Sequence, residues 1–265
     1  MATLVCFHAH PDDECTQTAG VMAKAAAEGH RVVLVVATKG EHGEVPAGLL
    51  RDGELLWERR IEEVTASAAV LGVDRLEFLG YTDSGMMGTP ENDQPESFWK
   101  ADIDDAARRL AAILEEERAD VLTAYDDHGN YGHPDHIQVH RVGVRAGELA
   151  GTPRVFLSTM NRDQIVRGMQ NMREHAIAAG IDPDELPDLG DDFGSPESDI
   201  TAAVDVRAHI DEKRKAMECH PSQIVDTGFF FTMPPEVFAD AFGTEWYIRA
   251  GQGPGITETD LMAGL

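Results

Sequence analysis

The chain has 265 residues, 42% of them hydrophobic and 26% charged, and its 48 acidic against 22 basic residues leave a formal net charge of −26. That length allows a sizeable core without covalent staples, while so acidic a surface argues against nucleic acid and anionic membrane as partners. Cys6, Cys15 and Cys219 show no CxxC spacing and leave one unpaired, which argues against a disulfide framework or a cysteine zinc knuckle. No apolar run nears the roughly 20 residues of a membrane span, and the start lacks the basic region of a signal peptide; a reducing cytoplasm is the expected location.

Leu4-Val5-Cys6-Phe7 is almost wholly apolar, as a buried parallel strand should be. Pro11 ends it by biasing His10 to an extended conformation. A helix is expected near 17–28, stopped by Gly29, and a second buried strand at 32–36. A loop rich in glycine and charge, 39–44, precedes a longer helix with Trp57, Ile61, Val64, Ala68 and Leu71 as its apolar face and Gly72 as its stop. Strand 76–79 leads to Tyr81-Thr82-Asp83-Ser84-Gly85, and 86–100 reads as an irregular loop over a site. Asp102 can cap the next helix, whose apolar face is Ile103, Ala106, Leu110, Ile113 and Leu114. Strand 121–125 runs into Tyr131-Gly132-His133-Pro134-Asp135-His136, where Pro134 suits the first position of a helix. Strand 154–157 closes the regular part.

Strands alternate with helices from residue 3 to about 160, the signature of an α/β fold: a Rossmann-like, mostly parallel sheet with helices on both faces. A smaller C-terminal extension follows over 161–250, with a helix near 161–179, an acidic, proline-rich stretch at 182–199, a strand at 203–206, a helix at 207–218 and a loop with Phe229-Phe230-Phe231. The 182–199 stretch reads as a solvated loop in preference to a lid. Residues 1–250 are taken as one catalytic domain and 251–265 as a loose tail.

Two tracts carry chemistry: His10-Pro11-Asp12-Asp13-Glu14 and Tyr131 to His136. Both follow strands directly, and in open α/β sheets ligands sit beyond the carboxyl ends of the strands. A hydrolytic zinc takes three protein ligands and keeps one position for water; His10, Asp13 and His136 can supply them. Asp12 and Asp13 diverge in a tight turn, so one can hold metal while the other serves the water as base. His133 shares a helix face with His136 and can be oriented by Asp135. The Tyr131 phenol can donate to an oxyanion. His8 reads as a partner behind the site or as a hydrogen-bonded core histidine, the first slightly preferred, His140 as a helix-surface or supporting residue, and Cys15 as a small filler in preference to a reactive thiol. His42, His128, His175 and His209 have no motif context, and His220 reads equally well either way.

The two tracts together resemble the LmbE/PIG-L family of zinc-dependent de-N-acetylases, over residues 3 to about 160 and more weakly beyond. Tyr81 to Met86 is also similar to a segment of the mycothiol enzymes of that family. The resemblance implies zinc on His10, Asp13 and His136, with Asp12 as general base. It implies that His133, paired with Asp135, stabilises the oxyanion or protonates the leaving amine, that Tyr131 polarises the amide carbonyl, and that Asp83 and Arg60 hold sugar hydroxyls or a linked polar group. Arg60 reads equally as a surface ion-pair partner.

The expected activity is hydrolysis of an N-acetyl group from the amino sugar of a small glycoside such as an N-acetylglucosaminyl conjugate. A mycothiol S-conjugate amidase and a natural-product tailoring deacetylase are rivals within the family; a non-catalytic sugar- or metal-binding module is the rival outside it. A zinc phosphoesterase is disfavoured, since neither a second metal cluster nor a phosphate-cradling loop is seen. Iron suits two histidines and a carboxylate as well as zinc. A homo-oligomer is compatible with all of these.

Overall fold

The computed structural model describes residues 1–178, 193–224 and 231–265, and of 171–178 the backbone only. Seven strands form one sheet: β1 (Thr3–His8), β2 (Arg31–Val36), β3 (Arg75–Phe78), β4 (Val121–Tyr125), β5 (Arg154–Thr159), β6 (Ala202–Asp205) and β7 (Thr244–Arg249). Their order is β3-β2-β1-β4-β5-β7-β6. β1 to β5 run parallel, and β7 is antiparallel to both β5 and β6. The expected mostly parallel α/β sheet is what the chain forms.

β1 and β2 are continuous apolar runs because helices cover both faces of the sheet. All six residues of β1 are buried, and alternate side chains enter different cores. Leu4 and Cys6 join a core with Met22 of α2 (Ala19–Ala27), Val64 of α3 (Leu56–Val70) and Ala216 of α8 (Ile210–Glu218). Val5 and Phe7 join another with Leu110 of α4 (Ile103–Glu117) and Val142 of α6 (Pro134–Ala150). Asp102 caps α4 by accepting from the Asp105 amide at 2.9 Å. Pro134 opens α6 as its sequence position implied. Gly143 lets α6 close on β4, because a Cβ there would stand 2.6 Å from the Ala124 Cβ. No helix among the described residues is long and apolar enough to cross a membrane.

Four local expectations change. The helix expected near 17–28 is split: α1 (Asp13–Gln17) already begins inside the first tract, and Thr18 breaks it from α2. α3 is rotated from its expected face. Arg60, Glu63, Val64, Ser67 and Ala68 are buried, while Trp57 and Ile61 are only partly so. Its inner face is polar because it meets the polar turns described below. β7 had no sequence expectation, since Glu245 interrupts its apolar character. That carboxylate is buried but matched: it accepts from Lys213 Nζ and the Gly20 amide at 2.8 Å each, and from the Val21 amide at 2.9 Å, at the start of α2. Finally, 251–265 is not a loose tail. Leu261 and Met262 are buried, the Ala203 amide donates to the Glu258 carbonyl at 3.0 Å, and Lys24 pairs with Asp260 at 2.8 Å.

The 86–100 segment holds two short 3₁₀ turns and buries Phe98 in the core. α7 (Arg162–Ala178) matches the helix expected there. Most of the 182–199 stretch, and Phe229 and Phe230, lie outside the described residues.

Candidate active site

β1 and β4 are neighbours at the point where the strand order reverses: β2 and β3 extend one way from β1, β5 the other way from β4. Parallel strands leave a crevice beyond their carboxyl ends at such a point. Each of the two tracts follows one of these strands, so the fold brings together segments more than a hundred residues apart. A cavity of about 300 Å³ opens there, with His10, Asp12, Asp13, Asp83, Tyr131 and His133 among its lining residues.

Asp12 has φ 122° and ψ −24°, a conformation that L-residues rarely adopt. Such strain costs on the order of 1–3 kcal/mol and persists only where surroundings over-determine it. Several contacts do so here. The Asp12 amide donates to Glu14 Oε2 at 2.9 Å. Its carbonyl accepts from the Cys15 amide at 3.2 Å and the Cys15 thiol at 2.9 Å. Arg60 Nη2 donates to the Pro11 carbonyl at 2.6 Å and to Asp12 Oδ1 at 2.8 Å, while Nη1 donates to the Gly40 carbonyl at 2.9 Å. Burial pushes the Asp12 carboxyl up to about 6, with the Arg60 guanidinium opposing.

Asp13 stands between two imidazoles. Its Oδ1 is 3.3 Å from His136 Nε2, and its Oδ2 is 3.5 Å from His10 Nδ1. An ion held tetrahedrally by ligands at about 2.0–2.1 Å has ligand-to-ligand edges of about 3.3 Å; each spacing is of that size, one made by each oxygen of Asp13. Ring nitrogens of His10, His133 and His136 also lie within 4.8 Å of one another. Burial works against an ionised Asp13, but His136 and His10 outweigh it and hold the carboxyl well below the usual range.

The other nitrogen of His10 is backed by acid. Nε2 faces Asp135 Oδ2 at 3.1 Å and Asp83 Oδ1 at 3.6 Å, leaving Nδ1 for a cation, the arrangement common behind metal-bound histidines. Burial opposes a charge on this ring, yet Asp83, Asp13 and Asp135 raise its pKa well above the ordinary value. Asp135 was expected to orient His133 through a ring nitrogen; it meets that ring by its backbone amide, while its carboxylate is engaged elsewhere. That carboxylate is fully buried and accepts from His10, from the Ser84 amide at 2.9 Å and from the Ser84 hydroxyl. His133 Nδ1 accepts instead from the Asp135 backbone amide at 3.1 Å. The reason is the helix start: as N-cap of α6, His133 folds back onto its own first turn. Burial, then His10 and His136, lower the His133 pKa to about 3, so the ring is neutral and carries its proton on Nε2.

Tyr131 is half exposed on an irregular turn, α5 (Gly129–Gly132), where Asn130 has φ 63°; its hydroxyl is 3.5 Å from His136 Nε2. Asp83 is buried and accepts from the Gly85 amide at 2.8 Å and the His42 amide at 3.2 Å. Arg60 is no surface ion-pair partner: it is buried, and both Nη atoms are spent on the first tract and on Gly40, although it also lines the cavity. His8 is buried, bonding Tyr125 Oη at 2.7 Å and Thr18 Oγ1 at 2.8 Å; it touches the site through Tyr125, whose ring packs 4.8 Å from that of His136.

Other participants were missed. His42, read as bland, lines the cavity with Gln223. Ser84, Ser67 and His220 hold Asp135 and Glu14. A signal existed for α3, since Arg60, Glu63 and Ser67 share the three-and-four spacing of Val64, Ala68 and Leu71. None existed for His220.

The family model described as GlcNAc-PI de-N-acetylase, PIG-L, matches residues 5–147. A protein of Thermomonospora curvata named 1D-myo-inositol 2-acetamido-2-deoxy-alpha-D-glucopyranoside deacetylase is 40% identical over 287 residues, spanning 97% of this chain and 95% of its own. Its namesake from Acidothermus cellulolyticus is 41% identical over 285 residues, with 99% and 95% covered. Among solved structures, N,N'-diacetylchitobiose deacetylase from Pyrococcus horikoshii aligns with a TM-score of 0.61 at 21% identity, covering 93% of this chain and 83% of that one; this likeness concerns the fold.

Proposed function

Because the chain belongs to the PIG-L family of de-N-acetylases, and is thus an amide hydrolase, we propose that it removes the N-acetyl group from the glucosamine of an N-acetylglucosaminyl-inositol. Support for this substrate comes from the names of relatives about 40% identical over nearly the whole chain. The acting unit is read as one catalytic domain, residues 1–250, with 251–265 packed against it.

The observation that carries the reading is the Asp13 carboxylate set between His10 Nδ1 and His136 Nε2, with Asp12 held alongside by Arg60. The donor set of two imidazoles and one carboxylate fits zinc. His10, Asp13 and His136 would hold the zinc, whose contribution when bound would be to lower the pKa of a water from about 15.7 towards about 7. Asp12 is the base that takes the proton of that water. Its carboxyl, raised by burial, is matched to proton transfer nearer neutral pH than an ordinary aspartate. The Tyr131 phenol donates to the carbonyl oxygen as negative charge develops there. His133, neutral and protonated on Nε2, is a second donor to that oxygen, and the proton for the departing amine then comes from Asp12. Asp135 fixes the His10 ring. Asp83 accepts from sugar hydroxyls, whereas Arg60 serves Asp12 more than the sugar.

The test is acetate release from N-acetylglucosaminyl-inositol by zinc-loaded and chelated protein. Zinc-dependent release is expected, abolished in Asp12→Ala with zinc retained, and lost together with zinc in His136→Ala. Undiminished release after chelation would refute the metal's role. Cleavage of a mycothiol conjugate with none of the glycoside would replace the substrate.

A further inference from the structure

Behind Asp12, on the side away from the cavity, lies a closed polar cluster that the reaction above does not use. Glu14, Ser67 and His220 are each fully buried. Glu14 Oε2 accepts from the Asp12 amide at 2.9 Å, and its Oε1 lies 2.6 Å from both Ser67 Oγ and His220 Nε2. The three partners come from the first tract, from α3 and from the turn after α8, and 206 residues separate Glu14 from His220. That turn is itself pinned to α3, since Glu63 accepts from the Ser222 amide at 3.1 Å and the Ser222 hydroxyl at 2.6 Å.

A carboxylate with one oxygen on the strained Asp12 amide and the other clamped by two donors transmits position. If Oε1 loses a donor, the Glu14 side chain can rotate, and Oε2 no longer holds the Asp12 amide at φ 122°. Arg60 restrains the Asp12 carboxylate from the other side, but nothing else described accepts from that amide. We propose that His220 is a positioning residue for Asp12, acting through Glu14 to fix the strained backbone from which the Asp12 carboxylate faces the attacking water. This inference rests on the reading of Asp12 as the base. A purely structural role would make the same cluster a staple between α1, α3 and α8, and the two roles separate by experiment.

The experiment measures kcat and KM for acetate release, zinc content and melting temperature in His220→Leu, His220→Gln, Ser67→Ala and Asp12→Asn. Taking the about 10–100-fold typical of partners behind metal ligands as the guide, His220→Leu is expected to lose about that much kcat with KM and stoichiometric zinc retained. His220→Gln, which can again present an N–H to Glu14, should recover most of the loss. Wild-type kcat in His220→Leu, an equal loss in His220→Gln, or loss of zinc in step with kcat would each overturn the proposal. Should His220→Leu fail to fold, Ser67→Ala decides: a severalfold fall in kcat with zinc bound is expected, and an unchanged kcat refutes it. Normal turnover by zinc-loaded Asp12→Asn would sink the base assignment itself. An inactive Asp12→Asn beside fully active His220 variants would sink only this inference.

Discussion

Replacing Asp135 by Asn separates two accounts of the second tract. The carboxylate accepts from the Ser84 amide, the Ser84 hydroxyl and His10 Nε2. An amide of the same shape has one accepting oxygen. An oxygen in the place of Oδ2 keeps both the Ser84 amide and His10 Nε2, and the new NH₂ group turns to the Ser84 hydroxyl, which can accept. The hydrogen bonds survive, and what the ring that presents Nδ1 towards Asp13 loses is the negative charge behind it. Partners of this kind are worth about 10–100-fold in metal affinity or activity, or about 1.4–2.7 kcal/mol at 1.36 kcal/mol per tenfold. The smaller figure is expected, since both donors keep an acceptor and only the charge of a charge-assisted bond is lost. Zinc affinity by chelator competition should therefore weaken by about tenfold, while kcat at saturating zinc falls less. Unchanged zinc affinity with a collapsed kcat would refute this reasoning and return Asp135 to the service of His133.

Three further outcomes are expected. Arg60 opposes the rise that burial imposes on the Asp12 pKa, so in Arg60→Met the acid limb of the kcat/KM profile should move to higher pH with zinc retained; an unmoved limb would remove Arg60 from that role. His8 is held neutral, its pKa lowered to about 4 by burial. As pH falls from about 6.5 towards about 4, the unfolded chain takes up a proton that the folded chain refuses, and stability drops, by roughly 2 kcal/mol between pH 7 and 5. Urea unfolding of chelated protein should show that much less acid loss in His8→Gln, and parallel curves would contradict it. Removing one member of a buried ion pair costs about 3–5 kcal/mol; Lys213→Met should fall at the low end, because Glu245 keeps the Gly20 and Val21 amides and the Tyr247 hydroxyl. A loss under about 1 kcal/mol would show that those donors already suffice.

The sequence by itself determined the strands other than β7, and the two tracts that follow β1 and β4. Short unbroken apolar runs rich in β-branched residues, such as 32–36, read as doubly covered strands, and Pro11, Pro134 and Asp102 mark where the chain must turn or begin a helix. These are local rules, carried by residues within a few positions of one another. The family resemblance likewise rests on contiguous residues. Tertiary structure alone decided which polar groups meet. The Asp135 carboxylate serves His10 and leaves only the backbone amide to His133; Arg60 lies buried under Asp12; Glu245 builds a strand by finding Lys213; His220 reaches Glu14. A buried polar residue with a partner reads along the chain like an exposed one. Its fate depends on angles between elements far apart in sequence, which no local periodicity encodes. The two aspartates after β1 were thus visible as a pair from the outset, but what holds Asp12 in its strained turn became evident only once α3 and the turn after α8 had closed around it.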